Sequence, residues 1–245
     1  MRQNVFLQAG AQIYNKRNGL PCIIQGMYVP CDETQGKAIA NAYDALPLYD
    51  LSTIEVCIAY TLFAVEVCEM FAFATQTLGI TVEPWRKEGQ PYKNSAEMCT
   101  DVERNLHLYV FVGGTDHALL GYADTSRLSV NVKFRAVHDL FGHAVEGYQF
   151  GARGEENAWL VHSQMFSPLA QKALTTETRG QNAWFNFGRH NYDHDGNRLA
   201  LSPSQKPFAQ QKIALLPDEF TNWQCVLTSS LAENTSVPSR GRGCI

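Results

Sequence analysis

The sequence predicts a mainly α-helical single domain with a few short strands (an α+β arrangement), and three observations carry that reading. Its 245 residues are 45% hydrophobic and only 18% charged, against a usual charged share of about a quarter. Helix start and stop signals recur along the chain, whereas runs of β-forming residues are short. One apolar segment, from Ser52 or Thr53 to Leu78, is long enough to be a central helix. A chain of this length buries roughly 70% of its unfolded surface or more, so it needs neither disulfides nor a structural metal to fold.

Residues 1–31, with Gly and Pro around the apolar piece Cys22–Val29, read as an N-terminal arm holding a strand or extended segment. Residues 32–227 read as a globular metal-binding domain and residues 228–245, rich in Ser, Pro, Gly and Arg, as a flexible tail. Asp32 is placed to cap a helix that reaches Leu46 and stops at Pro47. The apolar segment carries Glu55, Glu66 and Glu69. At helical spacing Glu55 and Glu66 lie about 20° apart and Glu69 about 60° from Glu66, a narrow polar stripe. A carboxylate at a bilayer centre costs at least ~2–3 kcal/mol, so the stripe predicts a core helix and no membrane span. Ile80–Trp85 and Leu106–Val112 are strand candidates. Between them Asn94 or Ser95 starts a helix to Arg104, with Glu97 placed for a capping box. Helices dominate from Val130 to Asn186, broken near Gly147–Gly154 and at Ser167-Pro168, where Pro takes the first helical position. Residues 188–207 form a polar loop, and Phe208–Leu216 is expected to be a short helix.

A formal net charge of −4 without a basic cluster argues against direct nucleic-acid binding, which needs Lys and Arg grouped against phosphates. The seven cysteines are odd in number and form no CxxC pair. Together with an N-terminus, MRQNVFLQAG, that lacks a signal-like apolar stretch, they predict reduced thiols and a cytoplasmic protein.

The most informative segment is Phe134–His143, FRAVHDLFGH. On an α-helix five residues turn through about 140°, so His138 and His143 would not share a face. Gly142 permits a distortion that brings them together. Glu155, Glu156 and Glu177 are the carboxylates available to complete a site. Two imidazoles and one carboxylate on one face of an octahedral ion suit Fe(II), leaving positions for dioxygen and a cosubstrate. The same donors in tetrahedral array suit Zn, and Mn also accepts them. Glu155 and Glu156 fit equally the acidic first turn of a helix. His162 returns to the face of Glu155, which makes it a candidate catalytic group beside Asp139. Asp193, His194 and Asp195 sit in a turn-like composition.

His138-Asp139-Leu140-Phe141-Gly142-His143 resembles the HELLGH motif of the pterin-dependent aromatic amino acid hydroxylases, and Thr176-Glu177 resembles their later Thr-Val-Glu-type motif. The match covers about fifty residues of the chain. It implies the hydroxylase catalytic fold, iron ligands at His138, His143 and Glu177, Asp139 near a pterin, and a small-molecule substrate. The family's Pro-rich segment before the first histidine has no counterpart in Leu128–Val137, and only Arg127 or Arg135 is at hand for its substrate-binding arginine. A fainter resemblance to uncharacterised phage and bacterial proteins implies a host-cytoplasmic or virion setting.

Two other classes fit parts of the sequence. An HD-type phosphohydrolase would use the His138-Asp139 pair with His117 and Asp193 or Asp195. A non-enzymatic, virion-associated or oligomer-forming protein would merely pack these histidines. A ferritin-like di-iron bundle needs two Glu-x-x-His pairs, and the sequence has none.

Overall fold

A computed structural model describes residues 3–113, 117–122 and 128–228. The expected tail beyond residue 228, and Arg127, lie outside these residues. The described chain is mainly helical, with one small two-stranded sheet.

Helix α1 (Val5–Arg17) starts at Asn4, whose side chain accepts the Leu7 N–H. It buries Leu7, Ala11 and Tyr14 in the main core. The expected N-terminal arm is therefore part of the core, and Cys22–Val29 runs extended without pairing into a sheet. Helix α2 (Glu33–Ala45) begins where Asp32 predicts, with the Asp32 carboxylate accepting the Thr34 N–H at 2.9 Å.

Helix α3 (Ile54–Ala72) continues into a π-turn, Phe73–Thr77, and stops at Gly79, whose φ of +72° suits glycine. By length and composition it could cross a membrane. In the fold it is the central helix, burying Tyr60, Phe63, Val67 and Met70 against α5 (Val130–His138) and α7 (Pro168–Thr175). Its other face is open in part, with Ile54, Ile58 and Val65 exposed. Two of the three glutamates serve α7. Glu66 accepts the Ser167 N–H at 2.9 Å and its hydroxyl, and Glu55 pairs with Lys172 at 2.6 Å. A carboxylate facing the first free N–H groups of a helix offsets its positive end.

Strands β1 (Thr81–Trp85) and β2 (His107–Phe111) pair in parallel through α4 (Ser95–Asn105), from Thr81 opposite His107 to Trp85 opposite Phe111. Asn94 caps α4 through the Glu97 N–H, while Glu97 reaches back to the Lys93 N–H, one residue earlier than a capping box requires.

After α5 comes a π-turn, Asp139–Ala144, then α6 (Ala152–Ser163) and α7. A third π-turn, Thr176–Gly180, leads into α8 (Gln181–Phe187), which packs on α2. The expected helix over Phe208–Leu216 does not form. Ile213 bridges to Tyr49, and the Lys212 ammonium donates to the carbonyls of Tyr43, Asp44 and Leu46 at 2.7–2.8 Å, closing the end of α2. A short helix follows, α9 (Asp218–Thr221), and residues 223–228 are again helical.

Candidate metal centre

His138 and His143 meet because the chain between them leaves the α-helical ladder. The π-turn Asp139–Ala144 closes through i→i+5 bonds, Val145 N–H to Leu140 O at 2.9 Å and Tyr148 N–H to His143 O at 3.0 Å. The extra residue takes up about 100° of the ~140° that would otherwise separate the two rings. Their centroids lie 5.1 Å apart, nearly perpendicular. A Cβ at Gly142 would lie 3.1 Å from His138 Cε1 and Nδ1 and 3.3 Å from Ala158 Cβ, so the imidazole would have to give by a few tenths of an ångström.

Glu155 brings the carboxylate. It stands in the first turn of α6, 3.4 Å from His138 Nε2 through Oε2 and 3.4 Å from His143 Nε2 through Oε1. The donor atoms of these three residues all lie within 4.8 Å of one another, a span that one ion with bonds near ~2 Å can bridge. Burial opposes ionisation of Glu155, but the two histidines hold its carboxyl well below the usual carboxylate range. Burial likewise pushes His138 toward the neutral form, and for His143 the Glu155 charge overcomes burial and raises the pKa. His143 Nδ1 faces the Tyr148 carbonyl at 3.3 Å, which can only accept. Nδ1 therefore carries hydrogen, and Nε2 is the nitrogen turned to Glu155. The cluster needs a cation at its centre, whether a proton on His143 or a metal ion, so the donor set fits a metal.

Glu177, the carboxylate that the hydroxylase resemblance implies, stands outside this group. Its Oε1 lies 2.8 Å from the Tyr60 hydroxyl and 3.1 Å from His117 Nε2, and Oε2 accepts from Gln181 at 2.7 Å. His117 Nδ1 accepts the N–H groups of Leu119 and Leu120, so its Nε2–H donates to Glu177. His117 is thereby committed to Glu177, and Asp193 lies in an exposed turn that it ties through the N–H groups of Asp195 and Asn197. Among the described residues the set that a phosphohydrolase would need is not gathered at one point.

A cavity of about 620 Å³ opens beside the cluster. Phe111, Phe134, Phe150 and Phe185 wall it, and His138, Asp139, Glu155 and Glu177 all face it. Burial lifts the Asp139 carboxyl to about 7; His143 opposes the rise and Glu155 adds to it. Arg135 also lines the cavity, its Nη1 held by the carbonyls of Phe111 and Gly113. His162 does not line it. Fully enclosed, it sits behind His138, Nδ1 to Nδ1 at 3.2 Å.

No protein-family model matches the chain, and neither a curated protein nor a solved structure matches it.

One wall of the cavity is a loop whose Tyr92 is pinned from outside. The Tyr92 hydroxyl donates to Asp101 at 2.8 Å and accepts the Tyr109 N–H, and His107 Nδ1 lies 2.7 Å from the same carboxylate. Burial works to raise the Asp101 pKa, but the hydrogen bonds from Asn105, His107 and Tyr92 outweigh it and the value falls below normal. A carboxyl with a lowered folded pKa adds stability above its unfolded value, near ~3.9, and loses it as pH falls through the folded one. The melting temperature of the wild type should thus drop more steeply below about pH 4 than that of Asp101→Asn. Parallel acid profiles would show that Asp101 contributes nothing.

Proposed function

We propose that this chain is a mononuclear non-haem iron oxygenase that hydroxylates a small molecule held in the aromatic cavity. The observation that supports it is the convergence of His138 Nε2, His143 Nε2 and the Glu155 carboxylate at the cavity wall. Fe(II) held on one face by such a triad supplies oxygen-activating chemistry at its open positions. Hydroxylation places one oxygen atom of dioxygen in the substrate and the other in water, so a reduced cosubstrate with two electrons shares the cavity; a pterin would serve. The chain's own part is binding and orientation. The phenylalanine walls exclude water from the bound molecule, Asp139 offers a hydrogen-bonding carboxyl beside the triad, and His143 is kept in one orientation by the Tyr148 carbonyl.

Metal analysis of protein purified without added metal, together with His143→Ala, tests this. The wild type is expected to carry about one iron per chain, or to take it up from Fe(II), and to colour with nitric oxide. The variant should do neither. A wild type that binds no metal under any condition, or binds it undiminished in His143→Ala, overturns the proposal.

A further inference from the structure

Met70 decides which nitrogens of two histidines carry hydrogen. Its Sδ, on α3, lies 3.3 Å from His162 Nε2. A thioether accepts weakly and donates nothing, so the nitrogen that faces it is the N–H. His162 is fully enclosed between the Met70 thioether and the His138 ring, where a cationic imidazolium would be buried without a counter-charge, so the ring is neutral. Its Nδ1 therefore carries a lone pair. That lone pair faces His138 Nδ1 at 3.2 Å. Two bare nitrogens at this distance would repel, so His138 Nδ1 must hold hydrogen and donate it. His138 is left with an unprotonated Nε2, aimed at the point where Glu155 and His143 Nε2 also converge. The opposite arrangement would put the hydrogen on His138 Nε2 and leave His162 Nε2 lone pair to lone pair with sulfur.

We propose that Met70 and His162 form an outer relay that locks His138 in its metal-binding tautomer, which makes both of them positioning residues of the centre. The inference rests on the metal reading above. A histidine ligand usually gives its second N–H to a carboxylate, a backbone carbonyl or water. Here the acceptor is a neutral imidazole backed by a thioether, so no second negative charge is added to the site. Helices α3, α5 and α6 each contribute one member. The relay therefore ties the metal geometry to the packing of three core elements.

Two measurements test it. Histidine nitrogen NMR of the metal-free wild type at neutral pH reads the tautomers directly. His138 should be protonated on Nδ1 and His162 on Nε2; either ring found in the other neutral form overturns the relay. Cobalt(II) titration then compares the wild type with His162→Gln, which keeps an acceptor, and His162→Leu, which has none. His162→Leu should bind 10–100-fold more weakly, the typical loss for an outer partner, with shifted visible bands, while His162→Gln recovers most of the affinity. Wild-type affinity and spectrum in a folded His162→Leu overturns the relay and leaves the metal centre standing. A wild type that binds no cobalt overturns the metal centre and the relay with it. Should His162→Leu fail to fold, the tautomer measurement decides alone.

Discussion

Glu155→Ala is expected to abolish metal binding while Glu177→Gln retains it. The two carboxylates face the same cavity but are differently engaged. Glu155 touches both histidine Nε2 atoms and, among the described residues, faces no other side-chain donor that would compete for its charge. Glu177 already has both oxygens occupied, by Tyr60, His117 and Gln181. Turning it to the histidines would strip hydrogen bonds from enclosed groups, each loss costing about 1–3 kcal/mol. Removing an inner ligand should weaken affinity by more than ~100-fold, beyond the range of an outer-partner change. Glutamine at 177 can still accept from Tyr60 and His117, so that variant should fold and carry metal. Metal content after gel filtration, with cobalt titration for the affinities, distinguishes them. Metal lost in Glu177→Gln and kept in Glu155→Ala would move the third ligand to the residue that the hydroxylase resemblance implies.

The neighbouring glutamate should matter for folding more than any other single charge. Glu156→Ala is expected to cost about 3–5 kcal/mol, because it strands a buried guanidinium without its counter-charge. Arg179 is enclosed, and its Nε donates to both Glu156 oxygens at 2.9 and 3.0 Å. The guanidinium also lies 4.3 Å over the Trp159 ring and donates from Nη1 to the Phe220 carbonyl at 2.7 Å. Replacing both partners, as in Glu156→Leu with Arg179→Met, should cost far less, since a buried ion pair is repaid only while it is whole. Urea unfolding curves would show it, and a Glu156→Ala loss below about 1 kcal/mol would sink the argument. The pair has a positional role too. It joins the first turn of α6, which presents Glu155, to the π-turn that presents Glu177, so the two cavity carboxylates are set relative to each other through one ion pair.

Local chemistry was legible in the residues. Asp32 and Asn94 mark helix starts because a cap is a contact within a few residues, and Ser167-Pro168 marks another for the same reason. The choice between Glu155 and Glu177 was not legible. Glu155 fits an ordinary acidic first turn, and only the path of the chain through Gly147 and Gly151 swings that turn against the histidines. Phe208–Leu216 is expected to be a short helix, yet Lys212, Ile213 and Leu216 are buried in non-helical chain by what surrounds them. The same tertiary control draws α1 into the core, where Leu7 and Tyr14 find partners that no local pattern announces. Met70 and Tyr148 gave no signal in the sequence, because an outer partner is defined only by what it faces.

The π-turn at Asp139–Ala144 makes the site a fault in an otherwise regular register. Deleting a single residue from it would let the backbone close its ordinary i→i+4 ladder, and by local propensity the helix would be the better for it. His138 and His143 would then stand four residues apart, about 40° round the axis, and every following side chain would keep its face. Such a deletion is expected to leave the histidine pair together, whereas closing the ladder at the present length would swing His143 about 100° further round. The bulge is therefore what lets a five-residue spacing serve as a four-residue one, while Leu140 and Phe141, which lie between the two histidines in sequence, stay buried in the core.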